Sequence, residues 1–232
     1  MFDGLQVLCF DLDDTFWDVQ RVLDRAEQRV AEFFAARYPL LAQRHSRADL
    51  RAARLALIDE NPQRAHDMTW LRTETVRRLA VAAGYPEAAG QEAFEVFIAA
   101  RNQVELFPDV RPALDRLAAH FRLATFSNGN ADLGRIGLAP LFAVSLNAER
   151  VGVAKPHAAA FAAVARELDC EPRRMLYVGD DPHIDVAGAR AAGLRTAWIN
   201  RSRSSWPDTH SPADLEIADL HQLEAALLDE LE

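Results

Sequence analysis

Val7-Leu8-Cys9-Phe10-Asp11-Leu12-Asp13-Asp14-Thr15 is the stretch from which the rest of the chain can be read. Four consecutive apolar residues without helical periodicity, close to the start, predict a short strand buried on both faces of a parallel sheet. Acid follows at once, with Asp11, Asp13 and Asp14 inside four positions. Carboxylates so placed repel one another and lose hydration, a cost usually met by a cation or by a catalytic use. Taken alone, the triplet reads equally as an acidic turn or a helix cap after a strand. If strand alternation persists beyond Phe10, Asp14 points away from its neighbours and stands outside any site they form.

Downstream the period changes. From Asp18 to Tyr38 the residues Val22, Ala26, Val30, Phe33 and Phe34 recur at three- and four-residue steps among Arg and Glu, an amphipathic helix that Pro39 is expected to end. A second helix is predicted from its N-cap Ser46 to Glu60, before Asn61-Pro62. A third carries Trp70, Leu71, Val76, Leu79 and Ala80 and closes near Gly84. A fourth opens at Pro86, carries Phe94, Phe97 and Ile98, and fades before Pro108.

Strands then return in alternation with helices. The pattern gives a helix over 112–120, strands over 121–126 and 142–146, a helix over 158–168, a strand over 175–178, a helix over 186–192 and a strand over 196–199. A short edge strand at 215–217 precedes a C-terminal helix. This alternation predicts an α/β fold, a Rossmann-like parallel sheet covered by helices on both faces. More than a hundred residues separate the first two strands, far beyond an ordinary crossover. The four helices are therefore expected as an insertion, a cap domain over 17–105 in a core of 1–16 and 106–232. Such an insertion would lie over the carboxyl ends of the strands, where open α/β sheets bind ligands.

With 232 residues, half of them hydrophobic, the chain can bury a full core. A formal net charge of -9 opposes binding to nucleic acid or to a membrane surface and favours small-molecule partners. Cys9 and Cys170 form neither a Cys-x-x-Cys pair nor a zinc-like spacing, as expected of a reducing cytoplasm. The start of the chain lacks the basic and apolar regions of a secretory leader, so a soluble cytoplasmic protein is expected.

Each later strand ends in residues able to meet the opening carboxylates. The strand at 121–126 runs into Ser127-Asn128-Gly129, a hydroxyl and a turn whose N–H groups suit phosphate oxygens. Lys155, in Val153-Ala154-Lys155-Pro156, supplies an ammonium, and the strand at 175–178 runs into Gly179-Asp180-Asp181-Pro182-His183-Ile184-Asp185. Four such elements in this order form a specific combination. The combination resembles the haloacid dehalogenase superfamily, most of whose members are Mg2+-dependent phosphohydrolases. Asp11-x-Asp13-x-Thr15 is similar to its first motif, Ser127 to its second, Lys155 to its third, and Gly179-Asp180 with Asp185 to its fourth.

The resemblance implies that Asp11 takes the phosphoryl group as an aspartyl phosphate, while Asp13 protonates the leaving oxygen and then activates water. It implies Mg2+ held by Asp11, the Asp13 carbonyl and Asp180, with Asp185, and Asp181 as a further candidate, acting through water or from behind. Ser127, Asn128 and Gly129 would hold the phosphoryl group beside Lys155, and Thr15 would orient the Asp11 loop. Trp17 stands where the family has a mobile core-to-cap segment, so it either packs on a leaving group or on a cap helix. His66, Trp70 and Arg72 in the cap are candidate substrate contacts, with Trp70 equally a core residue. His183 reads as a solvated loop residue, His157 as a helix N-terminal residue, and the Arg201, Arg203 and Trp206 loop as surface.

Dehalogenases of the family lack the second aspartate, because halide displacement needs neither a general acid nor a metal. Asp13 therefore favours a phosphatase acting on a small phosphorylated metabolite. Stretches such as His66-Asp67-Met68-Thr69-Trp70 are similar to a bacterial subgroup hydrolysing flavin mononucleotide and the phosphorylated ribitylaminouracil precursor of riboflavin. Pyrimidine nucleotides and sugar phosphates are alternative substrates, and a phosphomutase or a silent phosphate-binding protein are alternative roles. The oligomeric state stays open at this point.

Overall fold

The computed structural model describes residues 2–207 and 209–228. In chain order it contains β1 (Val7–Phe10), α1 (Val19–Arg37), α2 (Pro39–Arg44), α3 (Arg47–Glu60), α4 (Met68–Ala82), α5 (Ala89–Arg101), α6 (Val110–Leu117) and β2 (Arg122–Ser127). There follow α7 (Leu133–Ile136), β3 (Val144–Asn147), α8 (Ala148–Val151), α9 (Ala158–Glu167), β4 (Met175–Gly179), α10 (Gly188–Ala191), β5 (Arg195–Ile199), β6 (Leu215–Ile217) and α11 (Leu220–Leu228).

All five strand pairings are parallel, and the sheet order is β3-β2-β1-β4-β5-β6. This is the doubly wound order, in which the chain reverses direction across the sheet between β1 and β4. β1 is central, with Val7 level with both Arg122 and Met175, and all four of its residues are buried. On one face Cys9, Phe126 and Tyr177 pack with Phe161 and Val164 of α9. The expected strands all form within two residues of their anticipated limits, the third moving most, from 142–146 to 144–147.

Two compact units divide the chain. One comprises Met1–Asp18, Glu105–Gly129 and Leu133–Glu232, and the other Val19–Val104 with Asn130–Asp132. The helical unit holds five helices, one more than expected. Pro39 does not simply end the first helix; it takes the first position of α2, where a missing N–H costs nothing and the fixed φ suits a helix. Pro86 likewise sits in a turn, and α5 begins only at Ala89. Ser46 caps α3 in a capping box, with Ser46 Oγ accepting from Asp49 N at 3.2 Å and Asp49 Oδ2 accepting from Ser46 N at 2.8 Å. The interior of this unit gathers Ala26, Val30 and Phe34 of α1, Val76 and Ala80 of α4, and Ala93 and Phe97 of α5. No helix among the described residues is long and apolar enough to cross a membrane.

Candidate active site

Because every strand is parallel, the ends of β1, β2, β4 and β5 emerge at one edge of the sheet. Asp11 is the first residue beyond β1; its amide still donates to the Val178 carbonyl at 2.9 Å, so the backbone is held in register as the carboxylate emerges. Lys155 arrives from the loop before α9, and its position is fixed by Asn128. The Asn128 side chain accepts from the Lys155 amide at 2.8 Å and donates to the Lys155 carbonyl at 3.0 Å. The buried ammonium then has three acceptors, Asp11 Oδ1 at 2.5 Å, Asp185 Oδ1 at 2.7 Å and the Tyr177 hydroxyl at 2.9 Å. The Tyr177 hydroxyl in turn donates to the Phe126 carbonyl at 2.8 Å, tying Lys155 to β2 and β4 together.

Asp11, Asp180 and Asp185 offer carboxylate oxygens that all lie within 4.8 Å of one another. Gly179 makes this possible, since a Cβ there would stand 2.4 Å from the Asp185 carboxyl. Burial pushes Asp11 up to about 7, against the pull of Lys155 and with the help of Asp185. Asp180 is pushed up to about 8 by burial and by the charges of Asp185, Asp11 and Asp14. Burial also opposes the charge of Lys155, but Asp11 and Asp185 outweigh it and raise its pKa. Three carboxylates around one ammonium leave the cluster short of positive charge, and hard oxygen donors at this spacing fit a divalent cation.

Asp13 lines the same cavity, of about 180 Å³, as Asp11, Ser127, Lys155 and Asp180. The Trp17 indole donates to Asp13 Oδ1 at 2.7 Å, so one carboxyl oxygen is fixed in direction. Trp17 itself is fully buried, which places it beside Asp13 as a support and not as an open stacking face for a leaving group. Thr15 is also fully buried, and its hydroxyl has no partner among the described residues. It is not among the residues lining the cavity described above.

Asp14 corrects a simpler geometric expectation. The strand stops at Phe10, and Asp14 adopts φ 57° in a turn closed by its amide on the Trp17 carbonyl at 2.8 Å. Strand alternation has ended, and Asp14 lines the cavity with its neighbours. Ser127 is buried at the end of β2, and its Oγ accepts from the Gly129 amide at 3.0 Å. Gly129 N–H is thus engaged within the turn. Asp181 is a cap: its Oδ1 accepts from His183 N at 2.8 Å and Ile184 N at 2.7 Å, opening the wide helical turn Pro182–Ala187. His183 stacks on His210 at 5.1 Å, and His157 caps α9 through Nδ1.

Arg201 is the residue that sequence reasoning missed. Expected on a surface loop, it is half-buried just past β5 and grips two elements at once. It makes a bidentate pair with Asp109 at 3.0 and 2.8 Å and donates twice to the Thr15 carbonyl, at 3.1 and 2.8 Å. Trp206 is likewise packed, edge-on to Trp198 at 5.0 Å. The only signal for Arg201 was its place at a strand's carboxyl end; its partners lie 92 and 186 positions away.

In the helical unit, Asp67 caps α4 by accepting from Trp70 N at 2.8 Å, and the Arg64 guanidinium stands 4.7 Å over the Trp70 ring. His66 is half-buried in the turn before that cap. Arg72 stands 3.7 Å over the ring of Phe97 and 3.8 Å from Glu27, within the helical unit.

A family model of haloacid dehalogenase-like hydrolases matches residues 5–193. The chain is 30% identical over 199 residues to the 5-amino-6-(5-phospho-D-ribitylamino)uracil phosphatase YigB of Escherichia coli, covering 84% of this chain and 83% of that relative. It is 34% identical over 148 residues to a phosphoserine phosphatase of Thermus thermophilus, covering 61% and 59%. Among solved structures, a 2-haloacid dehalogenase from Pseudomonas syringae pv. Tomato superposes with a TM-score of 0.92 at 36% identity, covering 97% of this chain and 99% of that one. With the strand-end carboxylates and lysine arranged as described and a family model spanning most of its length, the chain belongs to the haloacid dehalogenase-like hydrolases.

Proposed function

We propose that the protein is a Mg2+-dependent phosphomonoesterase that works through an aspartyl phosphate on Asp11. The observation that carries this reading is the Asp11 carboxylate on Lys155 at 2.5 Å, among the Asp180 and Asp185 carboxylates, with Asp13 in the same cavity. An Asp11 oxygen attacks phosphorus as the bond to the leaving oxygen breaks, and Asp13 gives that oxygen its proton. Water then attacks the same phosphorus, Asp13 takes the water's proton, and the Asp11–phosphorus bond breaks to release inorganic phosphate. Lys155 balances charge throughout, and Ser127 with the Asn128 N–H receives phosphoryl oxygens.

Asp11, Asp180 and Asp185 would hold the cation, joined by the Asp13 carbonyl. When bound, it supplies the positive charge that keeps Asp11 ionised and shields the incoming phosphate. Trp17 holds Asp13 in one orientation, as a proton carrier requires.

The E. coli relative supports a riboflavin-pathway substrate, the ribitylaminouracil phosphate or flavin mononucleotide. Pyrimidine nucleotides and sugar phosphates are the competing classes. The similarity to a solved 2-haloacid dehalogenase favours a second reading, halide displacement by the same Asp11. Asp13 speaks against it, since a departing halide takes no proton.

The deciding experiment measures phosphate release across a metabolite panel, and chloride release from 2-chloropropanoate, each with Mg2+ and with EDTA. We expect phosphate release that needs Mg2+ and disappears in Asp11→Asn and nearly so in Asp13→Asn. Chloride release without metal, or phosphate release unchanged in Asp11→Asn, would overturn the proposal. A kcat/KM for flavin mononucleotide and the ribitylaminouracil phosphate below those for pyrimidine nucleotides would reject the substrate assignment alone.

A further inference from the structure

The helical unit contains a cavity of about 230 Å³ bounded by α1 to α5. Its walls are mostly apolar, with Val30 and Phe34 from α1, Leu50 from α3, Val76 from α4 and Phe94 and Phe97 from α5. Such a lining with a few placed polar groups is the usual make-up of a small-molecule site. The polar side chains of the lining are Glu27, Arg47, Arg54 and Arg72, with His45, Ser46 and Thr75.

These charges do not balance. Arg72 reaches Glu27 only at 3.8 Å, beyond hydrogen-bond distance. Among the described residues neither Arg54 nor Arg72 makes a hydrogen bond, and Arg54 forms no ion pair. Two guanidinium groups therefore bring ten N–H donors to the wall of an apolar chamber with one carboxylate near them. Buried polar groups are normally satisfied, and a positive charge removed from water is costly without a close anion. Burial, Arg54 and Arg101 work against the charge of Arg72, with Glu27 and the face of the Phe97 ring on the other side. Burial and Arg51 do the same to Arg54. The third guanidinium of the lining, Arg47, is engaged with Gln28 and Asp24, the Ser46 hydroxyl with Asp49, and the Thr75 hydroxyl with the Leu71 carbonyl.

We propose that this cavity is a binding site for a small organic monoanion, a carboxylate carrying an apolar body. With the Arg47 charge set against Asp24, the lining residues Glu27, Arg54 and Arg72 leave one positive charge, which one carboxylate neutralises and a phosphate dianion would overshoot. The planar guanidinium groups match a carboxylate in bidentate geometry, and the aromatic and branched walls receive the apolar body. The site lies wholly within the helical unit and shares no residue with the strand-end cluster, so its occupancy is separable from the hydrolytic reading.

The test uses the full-length chain, labelled with nitrogen-15, titrated with hexanoate and with the neutral isostere hexanamide while arginine Nε–H signals are followed by NMR. Hexanoate is expected to shift the Arg54 and Arg72 signals saturably and to bind about tenfold or more tightly than hexanamide, the difference one charge-assisted contact makes. Arg54→Met should erase that difference. Ala31→Leu, which fills the chamber from α1, should abolish binding in a protein that melts no lower than the wild type. Equal binding of acid and amide would make the chamber an apolar packing void and overturn the proposal, as would hexanoate binding indifferent to both substitutions or no saturable binding.

Discussion

Replacing Arg201 with Met tests whether the nucleophile loop is braced from the end of β5, two strands away. The wild-type guanidinium makes two hydrogen bonds to Asp109 and two to the Thr15 carbonyl, and lies 4.2 Å over the ring of Phe107. The side chain is 17% exposed and that of Asp109 is 9% exposed. Removing one partner of a buried pair costs about 3–5 kcal/mol; with this residual exposure, and Asp109 still holding the Leu220 amide at 2.8 Å, about 3 kcal/mol is expected. For a chain of this size that lowers the melting midpoint by about 6–12 °C. The methionine keeps most of the stem's packing, so the loss reports the hydrogen bonds. Arg201→Lys should recover little, because an ammonium cannot span the carboxylate and the carbonyl as a planar fork does. The sign of the pH dependence follows from Asp109. Burial tends to raise its pKa, but Arg201 and the Leu220 amide outweigh that and hold it below the ordinary carboxylate value. The gap between wild type and Arg201→Met should be complete above the unfolded value near 4 and shrink as pH falls through the depressed folded value. Because Thr15 is four residues from Asp11, kcat should also fall about tenfold. The assay is differential scanning calorimetry beside a steady-state aryl phosphatase rate. A midpoint equal to wild type at neutral pH, or full rescue by lysine, would refute the brace.

Tyr177→Phe leaves a buried ammonium N–H and the Phe126 carbonyl without their partner, a loss of about 1–3 kcal/mol; kcat should fall about tenfold with KM little changed, read from initial rates. Gly179→Ala forces a methyl to within 2.4 Å of the Asp185 carboxyl, and overpacking of this kind costs about 1–3 kcal/mol; calorimetry should show a lower midpoint and isothermal titration a loss of Mg2+ binding. Adding Mg2+ to wild-type protein should raise its melting midpoint, and Asp180→Asn should abolish that rise, since the cation stabilises only the folded cluster.

How far the sequence could be read depended on the range of the interaction. The sheet was legible because an apolar run and a change of period are local signals, and the strand-end residues followed because parallel strands deliver their ends to one edge. Ser46 was legible as a cap for the same reason. Asp14 was misread because nothing local announced that the pleat stops at Phe10 and φ turns positive. Pro39 was legible as the end of α1 but not as the start of α2, because a helix breaker and a helix starter look alike until the next turn forms. Arg201, Asn128 and Trp17 gained their roles from partners chosen by the fold: Asn128 clamps a backbone 27 positions away, and Trp17 turns back to Asp13 only because the loop between them curls. Such pairings leave no periodic trace.

The charge arrangement links the fold to the chemistry proposed for it. Burying three carboxylates around one lysine works against the folded state unless something else neutralises them, and the raised values of Asp11 and Asp180 record that conflict. A protonated Asp11 is a poor nucleophile, so a site that only displaced halide from a 2-haloalkanoate, whose reacting carbon carries no charge, would gain from fewer acids, not more. A phosphate ester carries its negative charge on the very group that is attacked, and the same acids are then useful because together they recruit a cation that serves both nucleophile and substrate. Asp13 completes the distinction: it stands outside the three-carboxylate cluster, fixed by an indole, where its use is to carry a proton. On this reasoning Asp180→Asn and Asp13→Asn should fail differently. The first should lose activity in proportion to lost Mg2+ affinity and recover in excess Mg2+. The second should bind Mg2+ normally and lose most rate with substrates whose leaving group needs a proton, less with activated aryl phosphates. Identical behaviour of the two variants across leaving groups and Mg2+ concentrations would show that the cluster does not divide its labour in this way.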